Sequence, residues 1–173
     1  MKKLKLVAMI LCIGIVAVSC EKEAGPTGPA GPAGTNGTNG NANVALYSFG
    51  SSDFNSGNIY LNDFSLTGTT NSGIDSCLVM SYYIPNGYTN FYMAGQVGPG
   101  NTYQSRCFIN NFNIIPAFRI ILCNPDGTTY SGADVTWDSV KVFVIPATTF
   151  RRAEADKVDF NSYEQVNKYF PEK

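Results

Sequence analysis

From residue 44 onward, apolar positions come in short runs or in alternation, and clusters of turn-forming residues separate them. The runs are Val44 to Phe49, Ile59 to Leu66, Cys77 to Ile84, Asn90 to Val97, Tyr103 to Phe112, Ala117 to Cys123 and Ser139 to Ile145, which predict seven strands. Between them stand Pro85-Asn86-Gly87, Gly98-Pro99-Gly100-Asn101 and Asn124-Pro125-Asp126-Gly127. These residues preset or tolerate tight-turn angles, so antiparallel hairpins are expected. The run from Leu78 to Tyr83 is apolar on both faces and should be central. Ser139 to Val144 puts its valines on one face and Ser139, Lys141 and Phe143 on the other. The pattern predicts an all-β, antiparallel β-sandwich over residues 44–150, a jelly roll being one form it can take. Trp137 reads as a core anchor.

The period changes in residues 151–173. Asn161 can cap a short helix, Glu164 completes a capping-box pattern and Pro171 ends it, with Tyr163, Val166 and Phe170 on one face. Docking onto the sheet is the expected use, contact with a partner the alternative.

The first residues carry a different signal. Lys2, Lys3 and Lys5 precede an apolar run from Leu6 to Val18, and small Ser19 precedes Cys20. This is the form of an export leader over residues 1–19. An apolar run of 13 residues falls short of the roughly 20 that a permanent membrane helix needs. Ala17-Val18-Ser19-Cys20 resembles the lipobox of bacterial lipoproteins, with Ala17 where that motif usually has Leu. The resemblance implies cleavage between Ser19 and Cys20 and a lipid on the Cys20 thiol, palmitate among its acyl chains. An ordinary secretory site with a chance cysteine is the alternative. Residues 20–24 would be the lipidated cysteine and its tether. Glu21-Lys22-Glu23 resembles the acidic signal that sends some Bacteroidota lipoproteins to the outer face of the outer membrane, and a periplasm-facing location is the other reading.

Glycine then recurs every third position, at Gly25, Gly28, Gly31, Gly34, Gly37 and Gly40, with Pro26, Pro29 and Pro32 following the first three. The period is that of collagen, in which only glycine fits at the axis of three wound chains. Residues 25–43 are therefore expected to form an extended collagen-like stalk, roughly 55 Å long over 18 residues at ~3.1 Å each. The last three triplets lack proline, so a homotrimeric stalk and a monomeric tether both remain open.

Composition narrows the chemistry. Loss of the leader removes three lysines and no acid, so the formal net charge of −1 becomes about −4. With no basic stripe, nucleic acid is not an expected partner. There is no histidine, which removes Ser-His-Asp and Cys-His nucleophilic systems and the commonest zinc ligand. The acids of residues 44–150 are Asp53, Asp63, Asp75, Asp126, Asp134 and Asp138. They read as turn and cap residues, and a convergent pair for glycoside hydrolysis is the remote alternative. Asp53-Phe54-Asn55-Ser56-Gly57 lacks the ligands that would complete a calcium loop. No metal, cofactor or catalytic residue is expected. Cys77, Cys107 and Cys123 are either buried thiols or one disulfide plus a thiol, with three pairings open. Tyr82, Tyr83, Tyr88, Phe91, Tyr92 and Tyr103 cluster around two predicted hairpins and are candidates for glycan contact, with core packing the competing explanation.

Taken together, the leader ending at Cys20, the Gly-Pro-Ala and Gly-Thr-Asn triplets running into Asn41-Ala42-Asn43-Val44, the strand Val142-Phe143-Val144-Ile145-Pro146 and the tail Asp159-Phe160-Asn161-Ser162-Tyr163-Glu164 resemble collagen-like lipoproteins of Bacteroidota. The resemblance implies an envelope lipoprotein and brings no activity with it. The expected function is non-enzymatic: a lipid-anchored module held off the membrane for adhesion, ligand contact or envelope structure. A carbohydrate-binding sandwich and, more remotely, an aspartate-dependent glycoside hydrolase are the alternatives, and a glycan or a protein is the expected ligand.

Overall fold

A computed structural model describes residues 43–171. The leader, Cys20 with its tether, and the glycine triplets lie outside the described residues. The strands are β1 (Ala45–Phe49), β2 (Ser52–Phe54), β3 (Leu61–Ser65), β4 (Cys77–Pro85), β5 (Tyr92–Met93), β6 (Gln104–Asn110), β7 (Ala117–Cys123) and β8 (Val135–Pro146), and the helices are α1 (Asn71–Ile74), α2 (Ala147–Ala155) and α3 (Tyr163–Tyr169). They form two antiparallel sheets, one ordered β1-β8-β4-β5 with β2 also paired to β8, the other β3-β7-β6. The arrangement is sandwich-like.

Alternation decides what each face buries. On β8, Val140, Val142 and Val144 point at the smaller sheet, where they meet Phe64, Phe118, Ile120 and Leu122. The register shifts where Ile84 pairs with Ser139 but Pro85 pairs with Trp137. That bulge turns Trp137 inward as well, although it stands three positions before Val140. Trp137 is fully buried, stacked on Tyr83 at 3.7 Å and 14°, and its Nε1 donates to the Tyr103 hydroxyl at 3.1 Å. It is the core anchor that the sequence suggested.

The opposite face of the larger sheet is covered rather than solvated. Met80, Tyr82, Phe143 and Ile145 are buried there against Ala153 of α2 and Val166 and Phe170 of the α3 region. The Tyr82 hydroxyl donates to the Phe160 carbonyl at 2.6 Å. The described domain is thus three-layered, smaller sheet on larger sheet on helices, and β4 lies between β8 and β5 with both faces buried, as its apolar run required.

Several boundaries differ from expectation. The run Asn90 to Val97 keeps only the two residues of β5. Ala94 N–H still donates to Ser81, but Gly95, at φ +93°, turns away and donates to Ser105 Oγ, so the segment crosses from one sheet to the other. β3 starts late because Ile59 and Tyr60 both have left-handed backbone, φ 56° and 53°. β2 was not foreseen. α2 spans the boundary expected at residue 150, so the tail is part of the packed domain. The cap of α3 is Ser162, whose side chain accepts from Gln165 N–H, in place of Asn161.

Candidate functional site

The strands give the domain two ends. The chain enters at the near end, where Ala45 pairs with Val144, Cys77 with Pro146 and Asn110 with Ala117. The far end carries the start of β8 and the long connections after β2, β4, β5 and β7, and here the surface is indented. Loops at the end of a rigid sandwich are the usual carriers of binding residues.

One far-end cleft, of about 360 Å³, lies between Pro85–Tyr88, Pro99–Tyr103 and Asp134–Thr136. Each wall has a local cause. Gly87, at φ +81°, closes the turn after β4, and Asn86 N–H donates to the Thr136 carbonyl while its Nδ2 donates to Asp138 at 3.0 Å. The second wall follows Gly98, where a Cβ would collide with the Tyr103 ring, so only glycine lets that ring pack beneath the turn. Thr102 Oγ1 donates to the Pro99 carbonyl at 3.0 Å, and Thr136 Oγ1 donates to Asp53 at 2.7 Å. The lining is one half-exposed tyrosine ring, Tyr88, with amide, hydroxyl and carboxylate groups, and it includes no Lys or Arg.

A second indentation, of about 320 Å³, lies at the same end beside Ile59, Arg106, Phe108, Ile121 and Tyr130. Ile59 is 75% exposed and left-handed, a rare combination for a β-branched side chain. It is held there by the preceding turn, in which Asn55 Oδ1 accepts from Gly57 and Asn58 N–H and Asn58 Oδ1 accepts from Asn55 N–H. The segment that faintly suggested a calcium loop is therefore a capped turn.

The six candidate aromatics do not form one surface. Successive residues of a strand face opposite ways, so Tyr82 goes to the helix-side core and Tyr83 to the inter-sheet core, where Tyr103 joins it. Burial pushes the hydroxyls of Tyr82 and Tyr83 well above the ordinary phenol range and raises that of Tyr103. Phe91 is stacked on Tyr163 at 3.7 Å. That leaves Tyr88 and Tyr92, whose rings meet edge-on at 5.8 Å and 88°, which is not a flat platform. Only Tyr88 and the edge of buried Tyr103 reach the cleft, and core packing accounts for the other four.

Four of the six aspartates accept from side-chain partners of their own. Asp63 receives Arg119 Nε at 2.6 Å and Nη2 at 2.5 Å, Asp126 receives Thr128, Asp53 receives Thr136 and Asp138 receives Asn86. Asp75 caps the end of α1, and Asp134 stands exposed at the cleft rim. Among the described residues no group of three or more acids or cysteines converges as a metal cage. Cys77, Cys107 and Cys123 are free thiols, and burial pushes Cys107 up to about 12. Among the described residues no helix is long and apolar enough to cross a membrane.

Sequence reasoning missed Asn86, Thr102, Asp134 and Thr136 as lining residues. The turn clusters around Pro85 and Pro99 marked two of the walls, but nothing in the chain shows that they face each other across Thr136. The chain matches no protein-family model, and neither a curated protein nor a solved structure shows significant similarity to it.

Proposed function

We propose that the protein is a non-enzymatic, lipid-anchored module of a bacterial envelope, held to the outer membrane through Cys20, raised on a collagen-like stalk and exposed at the cell surface, where the far-end loops meet a ligand or a neighbouring surface. The observation that supports this most directly is the polarity of the domain. The chain enters at one end, and two indentations lie at the other, while a third, of about 380 Å³, lies beside α2 and α3 at Asp156, Lys168 and Tyr169. A tethered module needs that arrangement to keep its contact surface clear of its own anchor.

The test is metabolic labelling with an alkynyl fatty acid, with fractionation and protease treatment of intact cells. Wild type should carry the label, sediment with membranes and be cleaved from outside, whereas Cys20→Ala should lose the label and leave the membrane fraction. Membrane retention of unlabelled Cys20→Ala would reject the lipid anchor, and complete protection in intact cells would turn the module to face the periplasm.

A glycan is the ligand class best matched to the first cleft, which offers an aromatic ring beside amide, hydroxyl and carboxylate groups and no cation. Binding on a glycan array that Tyr88→Ala weakens at least about tenfold, roughly 1.4 kcal/mol, is the expected result. Absence of wild-type binding to any glycan would remove this ligand class and favour a protein.

A further inference from the structure

The largest exposed apolar side chains lie at the near end, away from both far-end indentations. Phe112 is 95% exposed and Ile114 94%, and both sit in the β6–β7 connection with half-exposed Ile115. The loop is tied down on both sides. Asn71 Nδ2 donates to the Asn113 carbonyl at 3.0 Å, and Leu66 N–H donates to the Pro116 carbonyl at 2.9 Å. The two side chains are therefore presented in water from a fixed backbone, and covering them would be favourable.

Two features of the same end indicate what covers them. The connections there, residues 66–76, 110–116 and 146–149, hold one charged residue, Asp75, among many Thr, Ser and Asn. Close to a threefold axis each residue meets its own copies on the neighbouring chains, and like charges there would repel. With Asp75 as the one charge in these connections, that repulsion is kept small. In addition, the segment leading directly into Val44 carries glycine at every third position, a period whose physical basis is the winding of three chains. With only six triplets, three of them without proline, such a stalk needs its ends gathered by something else.

We propose that two further copies of this chain cover Phe112 and Ile114, so that three domains meet through their β6–β7 loops around a threefold axis at the end where the chains enter. The contact gathers the stalk ends and leaves three far ends pointing outward, each with its clefts free. A lipid bilayer is the competing occupant, but the three connections at this end offer no Lys or Arg to an anionic surface.

The proposal rests on the collagen-like reading of residues 25–43, and one experiment separates the two. The masses of wild type, Phe112→Ser/Ile114→Ser and Gly28→Ala/Gly31→Ala, each from Glu21 to Lys173, are measured by light scattering over a broad concentration range. Near-UV circular dichroism of Trp137 checks the fold. Wild type should be a trimer, and the loop variant, still folded, should dissociate at a concentration at least about tenfold higher. A loop variant as trimeric as wild type, with the glycine variant dissociated, overturns the loop contact and leaves the stalk standing. The reverse result supports the contact and rejects the triple helix. A wild type that stays monomeric overturns the proposal, and if that monomer binds phosphatidylcholine vesicles through Phe112 and Ile114, the occupant is the bilayer.

Discussion

Asp63 and Arg119 form the ion pair on the outer face of the smaller sheet, with the guanidinium also 5.9 Å from the centre of the Phe108 ring. The Arg119 hydrogen bonds hold the Asp63 carboxyl below its ordinary range against the opposing effect of partial burial, and Asn110 adds a weaker donor at 3.3 Å. The sign follows from linkage. A depressed carboxylate contributes stability that is complete above its unfolded value, near 3.8, and is lost as pH falls through the lower folded value. About a third of the Asp63 side chain is exposed, so solvent screening limits the contribution to no more than about 1 kcal/mol. Asp63→Asn should therefore flatten the fall in urea midpoint below about pH 4 and lower the neutral midpoint slightly. Identical acid limbs in the two proteins would show that the pair contributes nothing. Asp63 also shows why side-chain roles were less legible than strands. It was grouped with the turn and cap aspartates although it stands inside the predicted strand Ile59 to Leu66, and only the register that sets it opposite Arg119 reveals the pair. Tyr82 and Tyr83 were grouped because they are adjacent, although adjacency on a strand is what separates them.

At the scale of elements, hydrophobic patterning served where an element buries much and failed where it buries little. β7 matches its apolar run residue for residue, because Phe118, Ile120 and Leu122 alternate into the core. β2 buries only Phe54 and has no run to notice, and α2 buries only Thr149 and Ala153, so its Thr, Arg and Glu read as a solvated tail. The start of α3 was misplaced by one residue because Asn161 and Ser162 are both good caps by type. Geometry separates them: Ser162 Oγ accepts from Gln165 N–H, whereas the Asn161 side chain is spent on Asp159 and Gln96. Ser162→Ala should lower unfolding free energy by about 1 kcal/mol, and Asn161→Ala by clearly less, in matched urea titrations. A larger loss from Asn161→Ala would restore the cap to the position that the sequence suggested.

The whole molecule is organised around one shared layer. β4 and β8 supply Tyr83, Val140, Val142 and Val144 to the inter-sheet core and Met80, Tyr82, Phe143 and Ile145 to the helix-side core, from opposite faces of the same two strands. Neither core can lose its packing without loosening strands that the other requires. The helices and the smaller sheet should therefore melt together, although they do not share a core. Phe170, 2% exposed, is a suitable probe because it lies wholly on the helix side. Phe170→Ala should cost about 3–5 kcal/mol, the usual range for emptying a buried aromatic site. That loss should appear equally in the fluorescence of Trp137, on the opposite face of the larger sheet in the inter-sheet core, and in far-UV circular dichroism of the whole fold. Coincident midpoints that fall together would establish the larger sheet as the mechanical link between the cores. If the helical signal alone moved while Trp137 kept its wild-type transition, the helices would be a separable cover, and the far-end clefts would rest on the two sheets alone.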